Sequence, residues 1–203
     1  MDAENEQLDP KQQEDKIPVS QAITLYLHDI FVLLCTMMVA LLLIFRVVVV
    51  SGTSMNMTLL NGDYLLLLSN TFYANPQQGD IVVISKDSFD NGSAFVKRII
   101  ATEGQTVDID FEAGIVYVNG NPMDEPYTNT PTNLYEGVNF PLMVDDGCIF
   151  VMGDNRNESK DSRSTEIGQI DKREILGKAI FLFMPGRDSV TDKQYFSRIG
   201  ALS

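Results

Sequence analysis

The sequence predicts a mainly β domain preceded by one N-terminal transmembrane helix, and three observations predict it. Residues 30–45 form a run of sixteen positions without a charge. After Ser51, short runs of β-branched and aromatic residues alternate with Asn-Gly and Asp-Gly dipeptides, which are typical of strands joined by tight turns. No long amphipathic helical pattern follows Ser51, and the 203 residues suffice for one or two domains.

The N-terminal region divides into a polar tail and an apolar anchor. Residues 1–21 are acidic and poor in apolar side chains, which predicts a disordered tail. Residues 22–50 predict a transmembrane anchor, because a bilayer core requires about 20 apolar residues and Arg46 can extend its charge to the interface. A buried core helix and a cleaved signal peptide are the alternatives. The acidic N-terminal flank and the β-branched run at residues 47–50 favour a retained anchor.

Residues 51–203 form the predicted folded domain. Its strand-like runs are residues 64–68, 81–84, 95–100, 115–118, 148–152 and 179–184. Runs that are apolar on both faces predict strands buried on both sides. Residues 112–146 differ, because they are rich in Asn, Pro and Thr and contain one hairpin signal at Asn119-Gly120. We interpret them as an exposed insertion or subdomain.

Composition excludes several classes of function. Fifteen Lys and Arg against 28 Asp and Glu leave a net charge of -13, which excludes a protein that binds nucleic acid by neutralising phosphates. The single histidine, His28, cannot build a catalytic histidine triad or a histidine-rich metal site. Cys35 and Cys148 are too few for a four-cysteine zinc site, and Cys35 lies in the predicted span. We therefore predict no metal, no cofactor and no internal disulfide.

Two residues are candidates for chemistry. Lys97 lies between apolar neighbours in a predicted strand, where it either extends its amine to solvent or is desolvated; desolvation lowers the pKa of a lysine and makes it a usable general base. Ser54 follows the predicted anchor in a hydroxyl-rich turn beside Gly52. A serine nucleophile needs a base within hydrogen-bond reach, and with His28 at the membrane boundary that base would be a lysine. Read alone, the turn could equally be a membrane exit.

A polar loop at residues 153–163 follows a strongly apolar strand. Its charges alternate in sign, so internal ion pairs could order it. A calcium-binding loop is an alternative interpretation. The EF-hand pattern does not fit, because Arg156 occupies the third position and Ser159 stands where the required glycine would be.

Together these segments resemble the type I signal peptidases, membrane-anchored Ser/Lys proteases that remove signal peptides from exported proteins. The resemblance runs from the apolar span to about Met184 and is closest to the smaller Gram-positive-type members. Its motifs are Ser54-Met55 with Thr58-Leu59, Gly79-Asp80-Ile81-Val82, Val96-Lys97-Arg98-Ile99 with Gly104, and Gly153-Asp154-Asn155-Arg156 with Ser159 and Asp161-Ser162-Arg163.

The resemblance implies a fold, a location and partners. The expected fold is an antiparallel β catalytic domain with a small β-hairpin insertion, outside the cell membrane, with the N-terminus in the cytoplasm. Two lysines in the tail against Arg46 after the span give a slight charge bias in the same direction. The implied partners are preproteins with signal peptides, the lipid bilayer and the secretion translocon.

The resemblance also implies roles for individual residues. Ser54 would be the acyl-forming nucleophile, and Lys97 the general base that takes its proton and later activates water. Ser159 would hydrogen-bond the lysine amine and orient it. Asp161 would hold the loop through a charge pair with an arginine such as Arg163.

The implied substrate contacts lie on both sides of the nucleophile. The oxyanion would be held by the backbone N–H of Ser54 and by a donor at Gly52 or its neighbour Thr53. Val50 and Val96 would line shallow pockets that accept small side chains at the first and third positions before the cut. An extended peptide would add alongside these strands through main-chain hydrogen bonds.

One departure and two alternatives accompany this interpretation. The family usually has proline where this chain has Met57, and proline would hold φ near −65°. A membrane-anchored module that captures peptide ends without cutting is one alternative, which the presence of both Ser54 and Lys97 disfavours. A self-cleaving repressor with a related Ser/Lys core is the other. Such proteins carry a DNA-binding segment, whereas this chain has an acidic tail and an apolar span.

Overall fold

A computed structural model describes residues 18–188 and 191–202. Within these residues the chain forms one α-helix, α1 (Val19–Ile44), and twelve strands. The strands are β1 (Phe45–Val49), β2 (Tyr64–Ser69), β3 (Ile81–Ser85), β4 (Ala94–Thr102), β5 (Thr106–Asp110), β6 (Ile115–Val118), β7 (Asn121–Pro122), β8 (Leu142–Met143), β9 (Cys148–Met152), β10 (Ile170–Asp171), β11 (Ile175–Met184) and β12 (Gly200–Ala201).

The helix α1 is apolar on all sides. It has 26 residues, or about 39 Å of length, against roughly 30 Å for the hydrocarbon core of a bilayer. None of its residues is buried, and the hydroxyls of Thr24 and Thr36 bond back to the carbonyls of Ser20 and Val32. These two hydroxyls are therefore satisfied within the helix, and α1 is long and apolar enough to cross a membrane.

The predicted anchor and the observed helix end at different residues. The anchor is predicted to run to Val50, whereas α1 ends at Ile44 and the chain continues as strand to Val49. The reason is that β-branched residues favour extended backbone, and every residue of β1 pairs with β2. The predicted tail, residues 1–21, lies mostly outside the described residues, and its last three residues begin α1.

The larger sheet is antiparallel, in the order β1-β2-β11-β3-β4-β9-β10, with β12 on β11. β2 alternates buried and less buried residues, so its Leu65 and Leu67 enter the core. β3 is different, because residues 81–84 are buried on both faces and contact two apolar clusters. The prediction of a mainly antiparallel β fold with one N-terminal apolar helix is confirmed.

The smaller sheet has the order β7-β6-β5-β8 and extends beyond the predicted insertion. Its first strand begins at Thr106, before the predicted start at residue 112. β5 alternates buried Val107 and Ile109 with exposed Asp108 and Asp110. Because acidic residues alternate with the apolar ones, β5 does not form an apolar run. The alternation is nevertheless typical of a strand with one face in the core and the other in solvent.

One edge of β4 is only partly paired. Along one side β4 pairs with β3 from Ala94 to Arg98. On the other side, pairing with β9 starts only at Arg98. Residues 94–97 therefore leave one edge without a strand partner among the described residues, and this open edge leads to Lys97.

Candidate active site

Lys97 and Ser54 meet at the end of the open edge of β4. The Lys97 Nζ donates a hydrogen bond of 2.7 Å to the Ser54 Oγ, across a sequence separation of 43 residues. Lys97 is 3% exposed, and Ser54 is half-buried in the turn between β1 and β2. A lysine amine and the hydroxyl of the expected nucleophile thus lie within the distance that proton transfer requires.

The surroundings of Lys97 favour its neutral amine. Desolvation is the largest effect and lowers the pKa of Lys97 from 10.5 to about 8. The carboxylates of Asp161, Asp154 and Glu136 act against this shift, whereas the Arg163 guanidinium adds to it. The lysine therefore does not extend its amine to solvent, and a usable fraction of it is unprotonated near neutral pH.

The nucleophile lies in a short helical turn. The N–H of Asn56 donates to the Thr53 carbonyl at 3.0 Å, and the N–H of Leu59 donates to the Met55 carbonyl at 2.8 Å. Met55 and Leu59 are buried in the apolar core of the larger sheet. These two side chains anchor the turn on either side, so that Ser54 faces Lys97.

The loop after β9 clamps this turn at three points. The Asn155 N–H donates to the Ser54 carbonyl at 3.0 Å, and the Asn155 side-chain amide donates to the Thr53 carbonyl at 3.1 Å. The Thr58 hydroxyl donates to Asp154 Oδ2 at 2.6 Å. Asn155 therefore holds the backbone at Thr53 and Ser54, and Asp154 holds the Thr58 side chain later in the same turn.

A buried ion pair holds the clamp itself. Arg98 binds Asp154 through two hydrogen bonds, of 2.9 Å from Nε and 2.8 Å from Nη2, and both side chains are almost fully buried. A third nitrogen of Arg98 donates to the Gly79 carbonyl at 2.8 Å. Because successive residues of a strand face opposite sides, Arg98 can hold Asp154 while Lys97 faces the nucleophile.

Asp161 and Arg163 form a second buried pair. Two hydrogen bonds of 2.8 Å join their side chains, and neither side chain is exposed. Asp161 also accepts the N–H of Gly153 at 2.9 Å, and Arg163 donates to the Arg156 carbonyl at 2.6 Å. The structure thus contains the pair that the resemblance implies for Asp161, and this pair ties both ends of the loop together.

Ser159 does not make the hydrogen bond expected of it. Its Oγ is buried and has no hydrogen-bond partner among the described residues, while the Lys97 amine donates to Ser54 instead. The physical reason is packing: Ser159 lies directly against Gly153, where a β-carbon would overlap both the Ser159 Oγ and the Ser54 carbonyl. The Ser159 side chain therefore packs on the loop backbone without a hydrogen bond to the amine.

Gly52 is also engaged differently from the expectation. Its N–H donates to the Asn61 side chain at 3.0 Å, so it is not free to bind an oxyanion. Its φ of +96° is the left-handed conformation that favours glycine. The N–H of Ser54 donates to no described residue, nor does the Thr53 hydroxyl.

Val50 and Val96 belong to one apolar cluster beside the nucleophile turn. Val50 is 4% exposed, and Val96 packs half-buried against the same cluster as Met55. Their role in substrate selection stays a prediction.

The sequence interpretation assigns no role to several residues that contact this machinery. Asn61 binds Gly52, and the Oε2 of Glu136 is buried near Arg163 without a hydrogen bond among the described residues. Burial raises the pKa of Glu136 above its usual range. Glu125 pairs with buried Arg156 across 31 residues, a distance over which local charge patterns carry no signal.

Comparison with known proteins identifies the family. The family model for signal peptidase, peptidase S26, matches residues 23–184. The Synechocystis sp. protein named probable signal peptidase I-1 is 38% identical over 169 residues, which cover 78% of this chain and 82% of that protein. The chain belongs to the signal peptidase family. Signal peptidase I of Bacillus licheniformis is 36% identical over 150 residues, covering 70% of this chain and 78% of that protein.

Among solved structures, a signal peptidase I from Enterococcus faecalis is 29% identical, with a TM-score of 0.43, and the match covers 51% of this chain and 96% of that one. As a member of the signal peptidase family, this protein is a serine peptidase, and the Bacillus relatives confirm the expected likeness to Gram-positive-type members. The family match favours a peptidase over the repressor alternative. It ends at Met184, so β12 and the segment before it lie beyond the matched region.

Proposed function

We propose that this signal peptidase cuts N-terminal signal peptides from exported preproteins, with Ser54 as nucleophile and Lys97 as general base. The observation that carries the assignment of these two residues is the 2.7 Å hydrogen bond between a buried lysine amine and a half-buried serine hydroxyl. Family membership supports the reaction class.

The proposed reaction begins with neutral Lys97. Its Nζ accepts the Ser54 proton while the Ser54 Oγ forms a bond to the scissile carbonyl carbon. The resulting oxyanion would face the Ser54 N–H, a nearby donor that no described residue engages, and the Thr53 hydroxyl is a second such donor. The Lys97 ammonium then protonates the leaving amine as the peptide bond breaks. In the second half, neutral Lys97 takes a proton from water while the water oxygen bonds to the acyl carbon. The Lys97 ammonium then returns the proton to the Ser54 Oγ as the ester bond breaks, which releases the signal peptide with a new carboxylate.

The substrate would bind as an added strand. The open edge of residues 94–97 supplies main-chain donors and acceptors to an extended peptide, next to the nucleophile. Val50 and Val96 would close the pockets for the side chains before the cut, which favours small residues there. Gly52 would contribute the tight turn and its link to Asn61, not an oxyanion donor.

The proposed location is the cell membrane, with the N-terminus in the cytoplasm and residues 51–203 outside. The apolar surface of α1 and its length support the span, and the two lysines of the tail support the orientation. The bilayer, preproteins and the secretion translocon would be the partners. Protease added to intact cells should digest the β domain. Digestion of the tail with protection of the β domain would reverse the proposed orientation.

The dyad is tested on detergent-solubilised protein incubated with a preprotein, followed by sequencing of the new N-terminus. We expect Ser54→Ala, Lys97→Ala and Lys97→Arg each to abolish cleavage while the protein remains folded, because arginine stays charged and cannot accept the proton. Exposed Ser88→Ala and Lys193→Ala are the matched controls and should cut normally. Near-normal cleavage by Lys97→Ala alone would show that another base operates.

A further inference from the structure

A segment of the small subdomain crosses the two buried arginines of the active-site loop. We call residues 123–134 the strap. Its Glu125 binds Arg156 through both carboxylate oxygens, at 2.8 and 2.5 Å, and its Thr132 hydroxyl accepts a further Arg156 hydrogen bond of 2.8 Å. Arg156 is 1% exposed, so the strap supplies the counter-charge that a buried guanidinium requires.

Tyr127 of the strap covers the other arginine. Its ring centroid lies 4.0 Å from the guanidinium carbon of Arg98 and 5.9 Å from that of Arg156. Its hydroxyl donates to Glu125 at 3.0 Å. The ring thereby stacks on Arg98, which is 2% exposed, and separates the Arg98–Asp154 pair from solvent.

Each arginine in turn binds the loop that holds the nucleophile turn. Arg98 holds Asp154, which accepts the Thr58 hydroxyl. Arg156 donates from Nε to the Gly153 carbonyl at 3.1 Å. The strap thus contacts, through one arginine in each case, two adjacent residues of the loop that clamps the nucleophile turn, Gly153 and Asp154.

We propose that Glu125 and Tyr127 are positioning residues for the peptidase reaction, which hold the clamp against Ser54 by fixing Arg156 and Arg98. This inference rests on the proposed function, since it concerns the same dyad. The strap touches neither dyad residue, so its effect must pass through the two arginines. If the strap only covered the two arginines, changing Glu125 or Tyr127 would leave the kcat of the folded protein unchanged.

The consequence is measurable as a change in turnover rather than in binding. Neither Glu125 nor Tyr127 belongs to the open edge of β4, so the proposed peptide site stays intact when either side chain is changed. Removing the Tyr127 ring opens the Arg98–Asp154 pair to water and loosens the Asp154 carboxylate that holds Thr58. The turn that carries Ser54 should then shift relative to Lys97, which lowers kcat and leaves KM nearly unchanged.

The test uses the full chain in detergent and a synthetic peptide with alanine at the first and third positions before the cut. We expect Tyr127→Ala to lower kcat by about ten- to a hundredfold with little change in KM. Tyr127→Phe keeps the ring and should behave like the native enzyme. The control is Tyr117→Ala, which removes a half-buried tyrosine ring from β6. If Tyr127→Ala does not fold, Tyr127→Leu replaces it, because leucine fills the space but has no aromatic face.

Glu125→Gln tests the contact with Arg156 and should lower kcat. Its control is Glu112→Gln, at an exposed position, which should leave kcat unchanged. A rise in KM without a fall in kcat, an unchanged rate in Tyr127→Ala, or equal failure of Tyr127→Phe would overturn the inference. If the native chain fails to cut, or Ser54→Ala still cuts, the proposed function fails and the inference falls with it. Native cleavage that depends on Ser54, with strap variants like the native enzyme, overturns the inference alone.

Discussion

Lys97, the proposed base, is buried at a cost to the stability of the fold. An unpaired cation is disfavoured in the interior, and the amine has a hydroxyl, not a carboxylate, as its hydrogen-bond partner. The carboxylates that face it are committed to arginines: Asp154 to Arg98, and Asp161 to Arg163. The pKa of Lys97 therefore stays low, because its amine forms no ion pair among the described residues.

This trade-off predicts that removing the amine stabilises the protein. A pKa lowered from 10.5 to about 8 corresponds to about 3 kcal/mol of destabilisation. The unfolded chain binds the proton more tightly, so the penalty is complete below pH 8 and vanishes as pH rises through 10.5. Lys97→Met should therefore raise the free energy of unfolding at pH 7, and its advantage should shrink by pH 10.5. Denaturant unfolding at several pH values measures this. Exposed Lys193→Met is the control, and a Lys97→Met protein no more stable than native at pH 7 would contradict the prediction.

Met57 has a backbone conformation that the family's usual proline cannot adopt. Its φ is +85°, whereas a proline ring holds φ near −65°. Met57→Pro should therefore distort the nucleophile turn, lower kcat about tenfold and cost about 2 kcal/mol of stability. Met57→Gly should stay within about 1 kcal/mol of native, because the methionine side chain is 64% exposed and glycine accepts this conformation. Full activity and stability of Met57→Pro would mean that the turn has another backbone conformation.

At the scale of elements, the loop after β9 and the nucleophile turn approach so closely that one position must lack a side chain. A β-carbon on Gly153 would overlap the Ser54 carbonyl and the Ser159 hydroxyl, both close to the reacting groups. The loop and the turn are therefore in close contact at this position. Asn155 also joins them, through hydrogen bonds to the Ser54 and Thr53 carbonyls.

Gly153→Ala should separate these two elements. We expect kcat to fall about a hundredfold, because the displaced carbonyl moves the nucleophile relative to Lys97. Gly200→Ala in β12 is the matched control, since no atom lies within 4 Å of its added β-carbon. Cleavage assays and thermal unfolding of both variants measure the effect. Equal activity of the two variants would show that the loop yields without moving Ser54.

At the scale of the whole β domain, the C-terminal segment closes onto the nucleophile turn. Arg198 binds the fully buried Asp63 at 2.9 and 2.6 Å and donates to the Thr58 carbonyl at 3.1 Å. Asp63 also accepts the N–H of Leu60 and that of Gly186. Residues far apart in the chain thus share one buried carboxylate just behind the active site.

Breaking this closure should unfold the domain more readily. Arg198→Ala leaves the Asp63 carboxylate buried without its cation and should cost about 3 kcal/mol of stability. Arg173→Ala is the control, because its side chain is 89% exposed. Adding Asp63→Asn to Arg198→Ala should recover part of the loss, so that the two changes are not additive. Thermal unfolding of the single and double variants measures this. Strict additivity would contradict the pairing.

Several strands of this fold could be predicted because their signals are local. Each of the six strand-like runs lies within an observed strand, since short β-branched and aromatic runs between turn dipeptides carry their own preference. β1 could not be separated from the anchor, because a continuous apolar run suits a helix in lipid and a strand in a core equally well. Only the presence of β2 beside it decides between them.

The sequence by itself determined the apolar helix, the β class and, through its motifs, the two residues that meet as the dyad. These depend on composition, on periodicity and on residue identity at fixed spacing, all of which are written along the chain. The tertiary structure alone decided that Ser159 packs on Gly153 instead of reaching Lys97, that Gly52 binds Asn61, and that Glu125 pairs with Arg156. The physical reason is that hydrogen bonds and desolvation depend on distances between groups that only the packed domain brings together.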